Sequence, residues 1–412
     1  MAFIEEFVGQ LLQLLTNQRE KGWSLVSMRK PNEKLSQGDF SFPTDFRIWR
    51  DCFPEEYKNF SGDLFTHCAI KPEEIQIKSK EGCWNLPVEK VEVIKNRCII
   101  FLDRKETFRN VLLKVMNSPE GIGREGSPKR VFMEEISSDS QTLTDFRGIL
   151  LRKVLVNILG RSRKYIEVHK RDNADVTCVI TSKSSTEVVE GDVKILPGVV
   201  LDSRTGKKLS KHTWTECLEQ KMKECELVAR HRYGFRGPGD SQAGKMFEVL
   251  GTATMTLELL EAKPTSPVAY GGTSSRGGAF ILYNSARMET LLEQFKARNF
   301  PEAPPLEEID FSLLSEPEEW ILLLNFIASE EWMIEKCISE IEIGRVSPHL
   351  ICSFLHNFVT IFSAYYRRVQ ILTDNRKHLL KTLHARIHLL RALRMIFNRT
   401  LALLDIQPVA KM

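Results

Sequence analysis

The pattern of hydrophobic and polar positions predicts a small α/β unit over residues 1–117. The opening "FIEEFVGQLLQLL" has the spacing of an amphipathic helix. Its apolar face consists of Phe3, Phe7, Leu11 and Leu14. "VEKVEVIKNRCIIFLD", from Val88 to Asp103, alternates as a strand does, and a further helix is predicted after it. One face of that helix carries Phe108, Val111, Leu112 and Val115.

Residues 118–130, "SPEGIGREGSPKR", have the glycine, proline and charge content of a linker. They contain G-x-G-x-x-G at Gly121, Gly123 and Gly126. A dinucleotide-binding fingerprint needs a strand before these glycines and a helix directly after them. Here a helix precedes them and Pro128 follows, so we do not expect a dinucleotide site.

The region 131–277 begins with the strand-then-helix pattern of a nucleotide-binding fold. A strand-like "KRVFMEEIS" leads through a polar turn into the helical "FRGILLRKVLVNIL". Two further strands are predicted at 176–180 and 193–201. They precede "DSRTGKKLSKHTW", in which Lys207, Lys208 and Lys211 stand near a glycine, an arrangement that suits phosphate groups. The apolar helix "FEVLGTATMTLELL" follows.

From residue 278 to 412 the chain is predicted to be almost wholly helical, with prolines at 301, 304, 305, 317 and 348 marking breaks. The last helix, residues 376–404, separates an apolar face from a basic face. The apolar face comprises Leu379, Leu383, Leu390, Leu393, Phe397, Leu401 and Leu404. The basic stripe comprises Lys377, Lys381, His384, His388 and Arg391.

The preceding helix ends in "FSAYYRR", which brings aromatic and guanidinium groups close to the basic stripe. These residues are Tyr365, Tyr366, Arg367 and Arg368. Unstacked RNA bases stack on aromatic or arginine planes, and phosphates bind Lys and Arg, so this mixture predicts contact with a single-stranded RNA loop. The alternative is a solvated helix face beside tyrosines that belong to the core, with Tyr366 among them.

Arg386 interrupts the apolar face of the last helix. An unpaired buried charge is costly, so we expect a buried carboxylate partner. Residues 301–344 contain twelve acidic residues against Lys336 alone, and one of them can serve as that partner. His384 and His388 are expected at the surface and not as metal ligands, because Ala385 stands where a zinc protease has Glu.

The composition narrows the class of protein. Its 42% hydrophobic and 27% charged residues are typical of soluble globular proteins, and a net charge of +4 is too small to indicate a partner. The longest apolar run, "WILLLNFIA", is about half of the ~20 residues that a membrane span needs. Nine cysteines without a C-x-x-C pair indicate reduced thiols and no zinc site. Because the first residues include two glutamates and no basic leader, no signal peptide is expected. We expect a cytoplasmic protein, with a nuclear fraction left open.

The segments described above resemble arginyl-tRNA synthetases nearly from end to end. Residues 88–103 resemble their N-terminal tRNA-contacting domain, and "VFMEEISSDSQTLTDFRGILLRKVLVNIL" is similar to their first catalytic strand and helix. "DSRTGKKLSKHTWTECL" falls where their phosphate-binding lysine loop lies, and "ARIHLLRALRMIFNRTLALLDIQPVAKM" resembles the DALR anticodon-binding domain. The resemblance implies a multidomain fold, α/β followed by all-α. Its expected parts are a tRNA-contacting domain (1–117), a linker (118–130), a degenerate catalytic remnant (131–277) and a DALR helical bundle (278–412).

Departures from the synthetase pattern predict that this chain does not aminoacylate. A class I synthetase needs His-x-Gly-His at the start of its first catalytic helix, where the imidazoles stabilise developing phosphate charge. The corresponding residues are Phe146, Arg147, Gly148 and Ile149, and no two of the nine histidines lie three apart. About sixty residues separate Gly148 from Lys208, far fewer than the synthetases use for the amino-acid pocket and the rest of the nucleotide fold. We therefore expect a pseudo-synthetase without catalytic residues or cofactor, in which "GKKLSK" is a relic of an ATP site.

This reduced plan resembles degenerate arginyl-tRNA synthetase-like proteins of animals. The resemblance implies a non-catalytic adaptor that binds arginine tRNAs and presents them to a 3-methylcytidine tRNA methyltransferase, with no small-molecule substrate and no membrane contact. The expected tRNA-binding residues are Tyr365, Tyr366, Arg367, Arg368 and the basic stripe, with Lys207, Lys208 and Lys211 as weaker candidates. Two alternatives remain open: a divergent ATP-using ligase, and a protein-only scaffold whose acidic residues 302–342 bind a basic partner.

Overall fold

A computed structural model describes most of the chain and divides it into two compact units. The described residues are 3–19, 21–57, 60–117, 126–134, 142–182, 189–209, 212–233, 241–271, 276–298, 300–372 and 377–409. The first unit comprises residues 1–120, 295–332 and 364–393, and the second unit comprises 121–294, 333–363 and 394–412. Gly121 and Gly123 of the predicted linker lie outside the described residues. The predicted domain boundaries remain predictions.

The described residues form twelve α-helices and ten β-strands. The helices are α1 (Phe3–Thr16), α2 (Leu64–Cys68), α3 (Pro72–Glu81), α4 (Arg104–Asn117), α5 (Leu143–Leu159), α6 (Trp214–Tyr233), α7 (Ser241–Leu260), α8 (Arg276–Ala297), α9 (Pro317–Leu322), α10 (Glu330–Ile338), α11 (His349–Arg368) and α12 (Lys377–Leu403). The strands are β1 (Ser27–Met28), β2 (Phe40–Pro43), β3 (Val88–Ile94), β4 (Arg97–Leu102), β5 (Lys129–Met133), β6 (Tyr165–Glu167), β7 (Val176–Ile180), β8 (Val193–Ile195), β9 (Val200–Asp202) and β10 (Val268–Tyr270). Across these residues no helix is long and apolar enough to cross a membrane.

The sheet of the first unit is antiparallel, with strand order β1-β2-β4-β3. The strand predicted over residues 88–103 is in fact a hairpin of β3 and β4, in which Ile94 pairs with Arg97. Lys95 in its turn has a left-handed φ of 55°. Side chains alternate along both arms of a hairpin, so alternation by itself does not reveal the reversal between them.

Helices α1 and α4 cover this sheet with the apolar faces that their sequences predict. Phe7 of α1 packs on Phe40 of β2 with ring centroids 4.5 Å apart. Phe108 of α4 packs on Trp320 of α9 at 5.7 Å. The Trp320 indole nitrogen donates a hydrogen bond of 2.7 Å to Asp39, a buried carboxylate beside β2. These aromatic contacts form the core of the first unit, where each buried ring contributes about 1.5–3 kcal/mol.

The sheet of the second unit is parallel, with strand order β6-β5-β7-β8. Helix α5 connects β5 to β6, as the predicted strand-then-helix pattern indicates. The predicted strand at 176–180 is confirmed as β7. The strand predicted at 193–201 is two short strands, β8 and β9, because Pro197 and Gly198 interrupt it. Strand β9 instead pairs in parallel with β10.

Candidate nucleic-acid interface

The end of α11 places its two neighbouring tyrosines in opposite environments. Tyr365 is buried, with 2% of its surface exposed, whereas Tyr366 is 38% exposed. Arg367 and Arg368 are exposed as well. Consecutive helical residues are about 100° apart around the axis, so one tyrosine faces the core and its neighbour faces solvent. Tyr366 therefore presents part of its ring to solvent, whereas Tyr365 faces the core, and the part of both in RNA binding stays a prediction.

Arg368 lies beside two carboxylates at the start of α9. Its Nε and Nη2 donate to Glu318 at 2.9 and 2.5 Å, and Nη2 also donates to Glu316 at 2.5 Å. These bonds raise the pKa of Arg368 above its ordinary value and lower that of Glu318. A phosphate at this position would have to compete with both carboxylates, so Arg368 is a weaker phosphate ligand than the sequence predicts.

On α12, the basic stripe is exposed only in part. Lys381 is exposed and Arg391 is half-buried, while the side chain of Lys377 lies outside the described residues. His384 and His388 are only 9% and 6% exposed. The prediction that both histidines lie at the surface is wrong, because a chain segment packs over them. Their part in RNA binding is untested and stays a prediction.

The segment that covers the histidines is the proline-rich "PEAPP", residues 301–305. His384 Nε2 lies 3.2 Å from the carbonyl oxygen of Pro301, and His388 Nε2 lies 2.9 Å from that of Pro304. A carbonyl oxygen only accepts hydrogen bonds, so both imidazoles carry a proton on Nε2. Burial lowers the pKa of His388, more than the contact with Pro304 raises it. The two rings therefore anchor this segment to α12.

Arg386 has the buried carboxylate partner that its position on the apolar face predicts. Its Nε donates to Glu319 Oε1 at 2.9 Å, and the Tyr365 hydroxyl donates to the same oxygen at 2.8 Å. Glu319 is fully buried and belongs to the acidic region 301–344, so this prediction is confirmed. Burial and the nearby Glu319 charge raise the pKa of Tyr365 well above its ordinary value. This polar cluster links α9, α11 and α12.

Sequence reasoning missed Glu319 itself and the two acids beside Arg368. The stretch "EPEEW" carries a signal for Glu319, since Pro317 opens α9 and Glu319 is the third residue of a capping box. Its Oε2 accepts the backbone N–H of Glu316 at 3.0 Å. Such a box predicts the start of a helix. It does not predict that the same carboxylate also binds a distant arginine.

The lysine loop of the second unit is a tight turn after β9. The Asp202 N–H donates to the Lys207 carbonyl at 2.9 Å, and the Gly206 N–H donates to the Asp202 carbonyl at 2.8 Å. The Asp202 carboxylate accepts the N–H of Arg204 at 2.8 Å, which lowers its pKa. Lys207 and Lys208 are exposed on this turn, whereas Lys211 lies outside the described residues.

The start of α5, where the sequence resemblance expects the histidine motif of a synthetase, is filled by structural contacts. Phe146 stacks on Trp214 with ring centroids 4.5 Å apart. Arg147 is 1% exposed. Its guanidinium donates to four backbone carbonyls at 2.7 to 3.1 Å, those of Gly198, Lys263, Ser266 and Leu259. Burial lowers the pKa of Arg147 to about 10. Arg147 therefore joins α5 to the β8–β9 connection and the end of α7.

A small cavity lies beside the lysine loop. Its volume is about 130 Å³, and its lining includes Asp202, Arg204, Lys221 and Tyr270. Lys221 is buried and pairs with Glu258 at 2.9 Å, so its charge is already neutralised. Pockets for drug-sized ligands and cofactors measure about 300–1,000 Å³, which is well above this volume. Within the described residues, no group of three or more His, Cys, Asp or Glu side chains is placed to hold a metal ion.

The fold is that of an arginyl-tRNA synthetase. The arginyl-tRNA synthetase of Thermus thermophilus superposes with a TM-score of 0.61, covering 99% of both chains at 11% identity. The enzyme of Plasmodium falciparum gives a TM-score of 0.60 over 99% of both chains at 9% identity. Identities this low establish the shared architecture alone. The expected fold class, α/β followed by a helical C-terminal region, is confirmed.

The helical end of the chain matches a known domain family. Residues 281–412 match the family model described as the DALR anticodon binding domain. The chain is 35% identical over 177 residues to "DALR anticodon-binding domain-containing protein 3" of Mus musculus, and 30% identical over 243 residues to that of Danio rerio. These matches cover 40% and 55% of this chain but only 33% and 41% of the relatives. The arginine–tRNA ligase of Borreliella burgdorferi is 29% identical over 139 residues, which are 34% of this chain and 22% of that enzyme.

Proposed function

We propose that this protein is a non-catalytic adaptor that binds arginine tRNAs through its DALR region and presents them to a 3-methylcytidine tRNA methyltransferase. The match of residues 281–412 to an anticodon-binding family carries the proposal. The synthetase architecture and the similarity to bacterial arginine–tRNA ligases support arginine tRNA as the ligand. The methyltransferase follows from the sequence resemblance to the reduced animal proteins.

The absence of catalysis is supported by the start of α5. Arg147 donates to four carbonyls at the position where the sequence resemblance expects the histidine motif. A synthetase needs open space there for ATP phosphates, and the residue that the resemblance places there is a buried arginine. The 130 Å³ cavity at the lysine loop is too small for a nucleotide triphosphate. Arginine-dependent pyrophosphate exchange by the purified protein would overturn this part of the proposal.

The proposed anticodon-loop surface consists of Tyr366, Arg367, Lys381 and Arg391, all of which belong to the first unit. Tyr366 offers an exposed ring for base stacking, and the cations offer contacts for phosphates. If about five phosphates are neutralised in all, log K falls against log salt with a slope of roughly −3.5 to −4.5. A salt-insensitive affinity for tRNA would contradict this surface.

The first test is to purify the tagged protein from its own cells after crosslinking, and to identify bound RNA and proteins together. The proposal expects enrichment of arginine tRNAs with a methyltransferase. Arginine tRNAs without a methyltransferase would retain RNA binding and remove the adaptor role. Protein free of RNA, with no tRNA shift at low salt, would favour the protein-only scaffold.

A charge-reversal variant tests the location of the surface. The double substitution Lys381→Glu and Arg391→Glu is expected to weaken binding to all tRNAs without unfolding the protein. The matched control is Lys30→Glu with Lys34→Glu, which makes the same charge change at exposed residues of the first unit. Equal affinity of the two double variants would place the RNA site elsewhere.

A further inference from the structure

Aromatic rings of the first unit surround the imidazole of His67. Four rings of the described residues lie within 5 Å of it, centroid to centroid: Phe46 at 4.1 Å, Tyr57 at 4.7 Å, Phe60 at 4.8 Å and Phe53 at 4.9 Å. These five residues are called the aromatic cluster below. Neither the proposed anticodon-loop surface nor the lysine loop includes any of them.

The segments that carry the aromatic cluster are tied together by backbone hydrogen bonds. The Phe46 N–H donates to the Gly62 carbonyl at 3.0 Å. The Leu64 N–H donates to the Thr44 carbonyl at 2.7 Å. The Asp63 carboxylate caps the start of α2. The rings are therefore held in place before a ligand arrives, which reduces the entropy that binding would cost.

One side of the aromatic cluster is open to solvent. Phe46 is fully buried, whereas Tyr57 is 40% exposed and Phe60 is 37% exposed. Phe53 and His67 are half-buried. Exposed aromatic rings grouped in this way are typical of surfaces that bind a protein partner.

The surface around these rings has an excess of negative charge. Residues 45–63 contain five acidic residues against three basic ones. The acids are Asp45, Asp51, Glu55, Glu56 and Asp63, and the basic residues are Arg47, Arg50 and Lys58. Arg47 already pairs with Asp45 at 2.7 Å. Burial lowers the pKa of His67 below its ordinary value, so its imidazole adds no positive charge at pH 7.

Exposed rings beside carboxylates have the chemistry that recognises arginine. A guanidinium plane can stack on an aromatic ring and donate to a carboxylate at the same time. The same acids disfavour the other occupants of such a surface. The phosphates of RNA and of anionic lipids would be repelled. A symmetric contact with a second copy of the chain would place like charges against each other.

We propose that the aromatic cluster is a docking site for a partner protein, which it binds through an arginine side chain of that partner. The guanidinium stacks on the exposed rings of Tyr57 and Phe60, and the neighbouring acids, Glu56 among them, meet its charge. This inference goes beyond the proposed function, because docking at the aromatic cluster does not require tRNA.

Site-specific crosslinking tests which molecule occupies the aromatic cluster. The full-length tagged protein is made in its own cells with the photoreactive benzoylphenylalanine in place of Phe60, and the crosslinked peptide is mapped by mass spectrometry. The expected product is one partner protein, crosslinked within a segment that contains arginine, and Glu56→Lys should reduce its yield. Crosslinks to RNA, to lipid or to a second copy of this chain, or the lack of any crosslink, would overturn the inference.

The mapped segment is then synthesised as a labelled peptide, and its affinity is measured by fluorescence anisotropy. Replacing its arginine by lysine is expected to weaken binding roughly tenfold, since the planar guanidinium is lost. Tyr57→Ala with Phe60→Ala should weaken binding by about tenfold or more, with melting curves to exclude unfolding. Equal affinity of the arginine and lysine peptides would contradict recognition by a guanidinium.

A charge-reversal variant keeps the test independent of ring packing. Glu56 is exposed, so Glu56→Lys should fold normally and weaken peptide binding roughly tenfold. The matched control is Glu89→Lys, at an exposed acid of β3 outside the aromatic cluster, which should leave the affinity unchanged. Equal peptide affinity of the two variants would overturn the inference. The tRNA affinity of Glu56→Lys should equal that of the wild type, so the inference and the proposed function can fail separately.

Discussion

Two regions that the sequence marks as candidate sites contain an arginine largely removed from solvent, Arg147 at 1% and Arg386 at 11% exposure, and the two arginines are stabilised in different ways. At the start of α5 in the second unit, Arg147 donates to four backbone carbonyls. At the end of α11 and along α12 in the first unit, Arg386 pairs with the Glu319 carboxylate. In the first region, the arginine is buried and all of its described hydrogen bonds go to the backbone. The second keeps exposed groups beside its arginine, including Tyr366 and Lys381.

The difference lies in what surrounds each arginine. In the second unit, the Arg147 guanidinium donates to the Gly198 and Ser266 carbonyls and so joins two connections of the chain. In the first unit, the buried cluster of Tyr365, Glu319 and Arg386 lies under the surface and leaves its neighbours exposed. Under the proposed function, the first arrangement closes the former catalytic site and the second supports the recognition surface, and both use buried polar bonds. Their position relative to solvent decides which of the two results.

The largest effect is expected from Arg147→Met. This change leaves four buried carbonyls without their donor, at about 1 kcal/mol or more for each lost bond. We expect a loss of roughly 4–5 kcal/mol in the free energy of unfolding, measured by urea denaturation. Arg204→Ala is the control, an exposed arginine of the same unit, and should change stability by no more than about 0.5 kcal/mol. If Arg147→Met leaves the free energy of unfolding nearly unchanged, the hydrogen bonds of Arg147 do not stabilise the second unit.

The buried cluster of the first unit is tested by Glu319→Ala. Removing one partner leaves an uncompensated buried charge on Arg386, for which we expect a loss of about 3–5 kcal/mol. The adjacent Glu318→Ala removes a solvent-screened contact with Arg368 and should cost about 1 kcal/mol at most. Equal losses in chemical denaturation would contradict the distinction between the fully buried Glu319 and the partly exposed Glu318.

Substitutions of Tyr365 and Tyr366 are expected to have different effects, one on stability and the other on RNA affinity. Tyr366→Ala is expected to lower RNA affinity by about 1–3 kcal/mol, as for the loss of a stacked base, with little change in melting temperature. Tyr365→Phe removes the hydroxyl bond to Glu319 and should instead lower stability by about 1–2 kcal/mol. Binding titrations and melting curves of both variants check this. If Tyr366→Ala melts early and binds normally, its ring belongs to the core.

The smallest expected effect is on the pH dependence of stability, through His388, which residues 301–305 cover. Burial lowers the pKa of His388 below its ordinary 6.5, so the unfolded chain takes up a proton before the folded protein does. Stability is therefore expected to fall as pH drops from 6.5 toward the lowered pKa, with no contribution from this group above 6.5. His388→Gln should reduce the stability difference between pH 7.5 and pH 5.5, measured by denaturation. His212→Gln, an exposed histidine, is the control.

Much of the helical organisation could be predicted from spacing alone. The face with Phe108 and Val111 is buried as expected, and so is the α12 face with Leu383, Leu390 and Leu393. The hairpin over 88–103 and the break at Gly198 were missed, because a period of two persists through a turn and short strands can pair in different sheets. Periodicity reports which side of an element is apolar. It does not report which element packs there.

The candidate nucleic-acid interface, like the fold, could be predicted from the sequence only in part. Arg386 could be assigned a buried partner from its place on an apolar face, and the family of the C-terminal region could be assigned from its motif. Only the tertiary structure decided that the partner is Glu319, that Tyr365 is buried while Tyr366 is exposed, and that residues 301–305 cover His384 and His388. The sequence by itself determined which residues need a partner, since charge and hydropathy are properties of single side chains. The identity of each partner depends on which distant segments meet, and that is decided by packing across the whole fold.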